Sequence, residues 1–72
     1  MAEYTLTITN KAGFSCYTTI NVDEVMELGD SYNIIAGGAE IFLPKENTLR
    51  GDNYLYYRDG DVEVYLEYIL AV

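Results

Sequence analysis

Residues 53–70, NYLYYRDGDVEVYLEYIL, decide the fold of this chain. Asp59-Gly60 is a strong β-hairpin signal, because a two-residue type I′ loop needs positive φ at both central positions. With this loop, side-chain alternation divides the hairpin into an apolar face and a face of tyrosines and carboxylates. Two pairs are expected on the apolar face, Tyr57 with Val62 and Leu55 with Val64. Three pairs are expected on the other face, Arg58 with Asp61, Tyr56 with Glu63 and Tyr54 with Tyr65.

A second hairpin is predicted near the start of the chain, where residues 3–9 alternate strictly between large and threonine side chains. Lys11-Ala12-Gly13 is interpreted as a three-residue loop, with the glycine in the left-handed position that closes a bulge. That loop places Ile8 opposite Cys16, which is then a buried and unreactive thiol. The apolar side of the second strand is expected to face the core, with Phe14, Cys16, Ile20 and Val22.

The middle of the chain is expected to hold a third hairpin. Two short apolar runs flank Gly37-Gly38, which predicts a two-residue loop. The resulting register keeps large apolar side chains together, Ile34 with Ile41 and Tyr32 with Leu43. Ile35 and Phe42 fall on the opposite side, so the hairpin is predicted to be apolar on both faces. Such strands are either covered on both sides or used for self-association.

Residues 21–30, NVDEVMELGD, interrupt the alternation. Acids in the first turn and Gly29 at the end favour one short helix near residues 23–29, with an irregular crossing loop as the alternative. The chain is therefore predicted to be mainly β, a single small domain over residues 1–72. Its roughly three antiparallel hairpins form a meander that closes into a barrel or a sandwich. The alternative class is α+β, an antiparallel sheet with one short helix.

Composition argues against several functions. The 72 residues include twelve acids, four bases, one cysteine and no histidine, and the net charge is −8. This charge disfavours direct contact with nucleic acid and with anionic membranes, since both attract lysine and arginine. A single cysteine allows no internal disulfide. The sequence has neither an apolar run that spans a membrane nor a secretory signal, so we expect residence in the cytoplasm, or in the host cytoplasm if a phage encodes the chain.

No catalytic, metal or cofactor site is predicted. Without histidine, the usual general base and a plausible zinc ligand are both missing. Twelve acids always supply some carboxylate pair, such as Asp61 with Glu63, so a pair carries no catalytic information without a cleft. Gly37-Gly38 lacks the frame of a phosphate-binding loop. We therefore expect a protein that is not an enzyme.

The tyrosine and carboxylate face of the last hairpin is the best candidate binding surface. Tyrosine is enriched at interface hot spots, and neighbouring carboxylates pair with arginine or lysine of a partner. The residues expected to bind protein are Tyr54, Tyr56, Tyr65, Asp61, Glu63 and Glu67. The alternative is a solvated sheet surface, because aromatic residues favour strands in any case.

The leading functional hypothesis is a small acidic inhibitor or adaptor that engages a basic surface of a nucleic-acid-handling enzyme. Small acidic β-proteins rich in aromatic residues recur among such inhibitors, including phage anti-defence proteins, DNA mimics and nuclease immunity proteins. The likeness is one of class and carries no residue roles. It makes a phage or mobile-element origin part of the hypothesis.

Two alternatives rest on other residues. Ile35 and Phe42 indicate a structural protein that self-associates into a homo-oligomer, such as a scaffold or a virion component. Lys45, Arg50 and Arg58 are the bases expected to contact phosphate, and they support a nucleotide or small-molecule binder.

Overall fold

The structure consists mainly of β-strands. It is a computed structural model that describes residues 2–70. Its strands are β1 (Ala2–Asn10), β2 (Ser15–Thr19), β3 (Val22–Glu27), β4 (Ser31–Ala36), β5 (Ala39–Pro44), β6 (Thr48–Arg50), β7 (Tyr54–Asp59) and β8 (Val62–Leu70). A short 3-10 helix, Lys45–Asn47, joins β5 to β6. The predicted mainly β class is confirmed.

The strands form two antiparallel sheets that enclose one core. The larger sheet has the strand order β2-β1-β8-β7-β6, and the smaller has the order β3-β4-β5. Together they make a small sandwich. The larger sheet contributes the fully buried Leu6, and the smaller contributes Ile34 and Leu43. The rest of the buried apolar cluster consists of Tyr32, Leu55, Val64 and Leu66.

The first and last strands lie side by side within the larger sheet. β1 pairs with β8 over its whole length, from Ala2 opposite Leu70 to Asn10 opposite Val62. β8 also pairs with β7, so it has a neighbour on each side. Hydrogen bonds between residues far apart in sequence therefore hold the centre of this sheet together.

The last hairpin keeps its predicted faces, but its predicted register is wrong by two residues. Asp59 lies opposite Val62, so the loop is Gly60-Asp61. Of these two, Gly60 alone has positive φ, at 61°, as a type II′ turn requires. Because side chains alternate with a period of two, the shift leaves each of them on its expected face. The observed pairs are Tyr57 with Val64, Leu55 with Leu66, Arg58 with Glu63, Tyr56 with Tyr65 and Tyr54 with Glu67.

The predicted register of the first hairpin is wrong by one residue. Ile8 faces Tyr17 rather than Cys16, because the loop has four residues, 11–14. The left-handed residue is Phe14, at φ 53°, rather than Gly13.

The predicted burial of β2 is wrong for the same reason, since a one-residue shift turns a strand's side chains to the opposite face. Cys16 is exposed rather than a buried thiol. Phe14 and Ile20 are 96% and 72% exposed rather than part of the core. Only Val22, which begins β3, is half-buried and packs against the core as expected.

Residues 23–29 form neither the predicted helix nor an irregular loop. Most of them belong to β3, which pairs with β4. A register shift between Val22 and Glu24 interrupts the alternation by which a strand is recognised in sequence. Val25 still packs against the core, while Asp23 and Glu24 are exposed. Because these residues form a strand and not a helix, the α+β alternative is wrong.

The middle hairpin has the predicted loop and register. Gly37 and Gly38 both have positive φ, at 56° and 84°, as a type I′ turn requires. The core-facing pairs are Ile34 with Ile41 and Tyr32 with Leu43. The opposite face is more polar than predicted, because it carries the buried Ser31 and Asn33 beside Ile35 and Phe42. The Ser31 hydroxyl donates a hydrogen bond to Asn33 Oδ1 at 3.3 Å.

Candidate protein-binding face

The candidate site lies on the outer face of the larger sheet, which we define as the side turned away from the smaller sheet. The core side chains Leu55, Val64 and Leu66 fix the alternation, so their neighbours along β7 and β8 point outward. Five of the six residues predicted to bind protein lie there, Tyr54, Tyr56, Glu63, Tyr65 and Glu67. Asp61 lies instead in the hairpin loop.

Two tyrosine rings contact each other on the outer face. Tyr54 and Tyr65 stack with their centroids 5.9 Å apart and their planes 11° from parallel. They remain 38% and 37% exposed. The ring of Tyr54 also lies over Gly51, where a Cβ atom has no room. Contacts on two sides therefore hold the Tyr54 ring in place while its edge stays open to solvent.

The Tyr65 hydroxyl is directed toward a carboxylate. It donates a hydrogen bond to Glu67 Oε2 at 3.4 Å. Partial burial, followed by the charge of Glu67, raises the pKa of Tyr65 above its ordinary value. The phenol is thus neutral at physiological pH and remains a donor.

Glu63 is occupied by basic groups of the chain itself. The Lys11 ammonium lies 2.8 Å from Glu63 Oε1. Its hydrogen bond is the main cause that lowers the pKa of Glu63, and the charge of Arg58 adds to the effect. The backbone N–H of Lys11 also donates to the carbonyl of Asp61 at 2.8 Å. Glu63 and Asp61 therefore connect the first hairpin loop to the last one.

The three bases predicted to contact phosphate do not converge on one free site. Lys45 Nζ lies 3.0 Å from Glu27 Oε2, and Arg50 Nη1 lies 2.6 Å from Glu27 Oε1. The hydrogen bond from Lys45 is the main cause that lowers the pKa of Glu27. Arg58 is opposite Glu63, on the outer face of the larger sheet. Every base is thus close to a carboxylate.

The charge that remains is overwhelmingly negative. Ion pairs among residues 2–70 use two of the twelve acids, Glu27 and Glu63, which leaves ten carboxylates without a basic partner in that part of the chain. The sequence establishes the excess, and the structure shows that the few cations are concentrated at two carboxylates.

A cavity of about 300 Å³ opens between the two sheets. Tyr4 and Tyr68 line it with their ring centroids 5.0 Å apart, and Tyr32 lines the wall provided by the smaller sheet. The Glu27–Arg50 ion pair also contributes to its lining. Its volume suits a small molecule. Sequence reasoning missed the cavity because its lining comes from separate elements of both sheets.

Exposed apolar side chains mark two further surfaces. Phe42, predicted to self-associate, is 60% exposed, and Ile35 is half-buried beside it on the smaller sheet. Sequence reasoning missed the second surface, where Tyr17 of β2 and the residues that flank this strand, Phe14 and Ile20, are exposed. Residues 2–70 contain no cluster of side chains suited to a metal ion, and no helix there is long and apolar enough to cross a membrane.

Comparisons with protein-family models, with curated proteins and with solved structures gave no match to this chain.

Proposed function

We propose that this chain is a non-enzymatic binding protein, an inhibitor or adaptor that engages a basic surface of a nucleic-acid-handling enzyme. The contact residues are Tyr54, Tyr56, Tyr65 and Glu67 on the outer face of the larger sheet. The observation that carries the proposal is the Tyr54–Tyr65 stack, which is open to solvent and lies beside the carboxylate of Glu67.

The stack supports binding because its rings are already ordered. Tyrosine offers a large amphipathic contact area with few rotatable bonds. Gly51 and Tyr65 restrict the Tyr54 ring further. The Tyr54 side chain therefore loses little additional conformational entropy when a partner covers it. Glu63, which is also predicted to bind protein, forms an ion pair with Lys11 of the same chain.

The charge distribution supports a basic partner. The ten carboxylates that have no ion pair within residues 2–70 repel acidic surfaces and attract lysine and arginine. Enzymes that handle nucleic acid carry such basic surfaces, because they neutralise phosphates. An acidic protein that covers such a surface competes with the nucleic acid for it.

Affinity capture from a bacterial lysate at low and high salt, followed by mass spectrometry, tests the proposal. We expect the chain to retain a nucleic-acid-handling enzyme at ~50 mM salt, to release it at ~500 mM salt, and to lose it to added DNA. Tyr65→Ala and Glu67→Lys should abolish capture. Tyr17→Ala is the matched control, since Tyr17 is an exposed tyrosine on a different strand, and it should retain capture. Capture that resists salt, or that survives Glu67→Lys, contradicts the proposal.

The cavity between the sheets favours a second candidate function, the binding of a nucleotide or another small molecule. Tyr4, Tyr32 and Tyr68 offer aromatic walls, and Arg50 offers a cation. A phosphate there must compete with Glu27 for that cation. Calorimetry with nucleotides tests this candidate, because heat of binding that disappears in Arg50→Gln supports it and the absence of heat removes it.

A further inference from the structure

We propose that two copies of this chain form a symmetric dimer through antiparallel pairing of β2 with β2 of the second copy. The pairing would join two five-stranded sheets into one of ten strands. It concerns an edge of the larger sheet that β1 separates from the binding strands β7 and β8, so it goes beyond the proposed function.

The four sheet edges differ in how they are protected against pairing. An edge strand exposes unpaired backbone N–H and C=O groups, and proteins block such edges with charges, prolines, bulges or very short strands. β6 has three residues and includes Arg50. β3 contains a register shift and three acids, and β5 contains Glu40 and ends at Pro44. β2 has five residues in regular register with β1 and none of these features.

Charge determines what can occupy the β2 edge. Residues 12–22, AGFSCYTTINV, contain no charged side chain, although the chain carries a net charge of −8. Two copies of so acidic a chain repel each other over most of their surfaces. At β2 they can approach without bringing like charges together. A neutral edge is therefore suited to a second copy, whereas a basic partner is drawn to the carboxylates elsewhere.

The backbone and the exposure of Phe14 give a second, independent indication of a contact at this edge. It adopts a left-handed backbone conformation, with φ 53°, that a residue with a Cβ atom rarely adopts. It is also 96% exposed, so it adds almost nothing to the core of one copy. Backbone strain at an exposed apolar residue points to a contact outside the chain.

The exposed side chains favour one symmetric register. With the two-fold axis at Tyr17, that residue lies opposite Tyr17 of the second copy. Continued one residue beyond each end of β2, the same register places Phe14 near Ile20 of the second copy, and it does so twice, once at each end of the pair. All three side chains are exposed in the single chain, and pairing would cover them.

The area indicates a weak dimer. Phe14 and Tyr17 together expose roughly 300 Å² per copy, to which Ile20 and the strand backbone add a comparable amount. The total is at the low end of specific interfaces, so we expect monomer and dimer to exchange at micromolar to millimolar concentrations. The two-fold axis runs perpendicular to the paired strands, which places both outer faces on the same side of the joined sheet.

Sedimentation over a concentration series is the first test, with circular dichroism to verify that each variant is folded. We expect the dimer fraction to rise with concentration and with salt, because salt screens the repulsion between the two acidic chains. Tyr17→Lys sets two like charges opposite each other and should weaken the dimer by about tenfold or more. Phe14→Gly should also weaken it with no loss of melting temperature, since glycine accepts the left-handed backbone.

Leu49→Lys is the matched control, because Leu49 is an equally exposed apolar residue at the opposite edge of the same sheet and should leave the dimer unchanged. Phe42→Lys separates this proposal from association through the smaller sheet. A chain that remains monomeric at every concentration overturns the proposal. A dimer that Phe42→Lys dissociates and Tyr17→Lys preserves also overturns it.

Thiol trapping tests the register directly. Cys16 would lie opposite Thr18 of the second copy, at a distance of roughly 5 Å between Cα atoms that is within the range of a disulfide. Thr18→Cys should therefore give covalent dimers under mild oxidation. The same substitution with Cys16→Ser should not, because the two new thiols lie on a diagonal. Equal cross-linking in both variants contradicts this register.

Discussion

Tyr54 and Tyr65 stack on each other although they are not cross-strand partners. Tyr54 lies opposite Glu67, and Tyr65 lies opposite Tyr56, so the stack runs diagonally between β7 and β8. Diagonal contacts of this kind are within the reach of aromatic side chains. The contact joins the proposed binding residue Tyr65 to the loop at Gly51, which the Tyr54 ring covers.

A double-mutant cycle with Tyr54→Ala and Tyr65→Ala measures this contact. We expect a coupling free energy of about 0.5–1 kcal/mol in denaturant unfolding, the range for an aromatic pair that remains partly solvated. The control cycle combines Tyr54→Ala with Tyr17→Ala, which should add within about 0.5 kcal/mol because Tyr17 belongs to β2. Equal coupling in the two cycles would show that the stack contributes nothing specific.

The ion pairs of Glu27 with Lys45 and Arg50 give the folding stability a defined pH dependence. The hydrogen bond from Lys45 holds the pKa of Glu27 below the ordinary 4.5 in the folded chain. The unfolded chain therefore binds this proton first, and stability rises with pH between the folded and the unfolded pKa. The contribution is fully present above the unfolded value and is lost as pH falls through the folded one.

Glu27→Gln should remove that dependence. The difference in unfolding midpoint between the natural chain and the variant should be largest at neutral pH and should shrink as pH falls below about 4.5. Comparing the two chains cancels the titration of the remaining acids. Glu46→Gln is the control, since Glu46 is exposed in the 3-10 helix, and it should show a smaller difference at neutral pH. A difference between the natural chain and Glu27→Gln that stays constant from neutral pH to pH ~3 would falsify the assignment.

The turn at Gly60 predicts a second stability difference. Gly60→Ala forces a Cβ atom into a left-handed conformation and should destabilise the chain by about 1–2 kcal/mol. Gly29→Ala is the comparison, because Gly29 has no such φ and no atom within 4 Å of the added carbon. It should be neutral or slightly stabilising. Thermal unfolding of both variants measures the contrast.

Core and edge substitutions distinguish the observed register of the first hairpin from the predicted one. Leu6 is fully buried, and Leu6→Ala should cost about 2–5 kcal/mol, which is enough to unfold much of so small a domain. Ile20→Ala should change the unfolding free energy by less than about 0.5 kcal/mol, because its side chain is exposed. A large loss for Ile20→Ala would favour the predicted register instead.

Alternation alone predicts much of this fold and some of its registers. It assigns the faces of β7 and β8 correctly because a two-residue slip preserves them. It fails in β2, where the choice of Phe14 rather than Gly13 as the left-handed residue reverses every side chain. It also fails in β3, where the shift near Glu24 removes the period that marks a strand.

The candidate site was predictable only as a set of outward residues. Its chemistry depends on contacts between distant segments, such as Lys11 with Glu63 and Arg50 with Glu27. No local spacing encodes these pairs. The exposure of β2 could not be predicted for a different reason. It depends on the loop between β1 and β2, which is one residue longer than the position of Gly13 suggests.

The pairing of β1 with β8 also governs how the chain can fold. Leu6 finds its partner Leu66 only after all the strands that lie between them in the chain have been synthesised. Until then β1 of a nascent chain lacks β8, its neighbour at the centre of the larger sheet. Only hairpins between consecutive strands can form at that stage. Contacts of such long range slow folding, because the loop between them must close first. We therefore expect the pairing of β1 with β8 to be a late step of folding, with the smaller sheet, whose strands are consecutive in the chain, as the part able to form earliest.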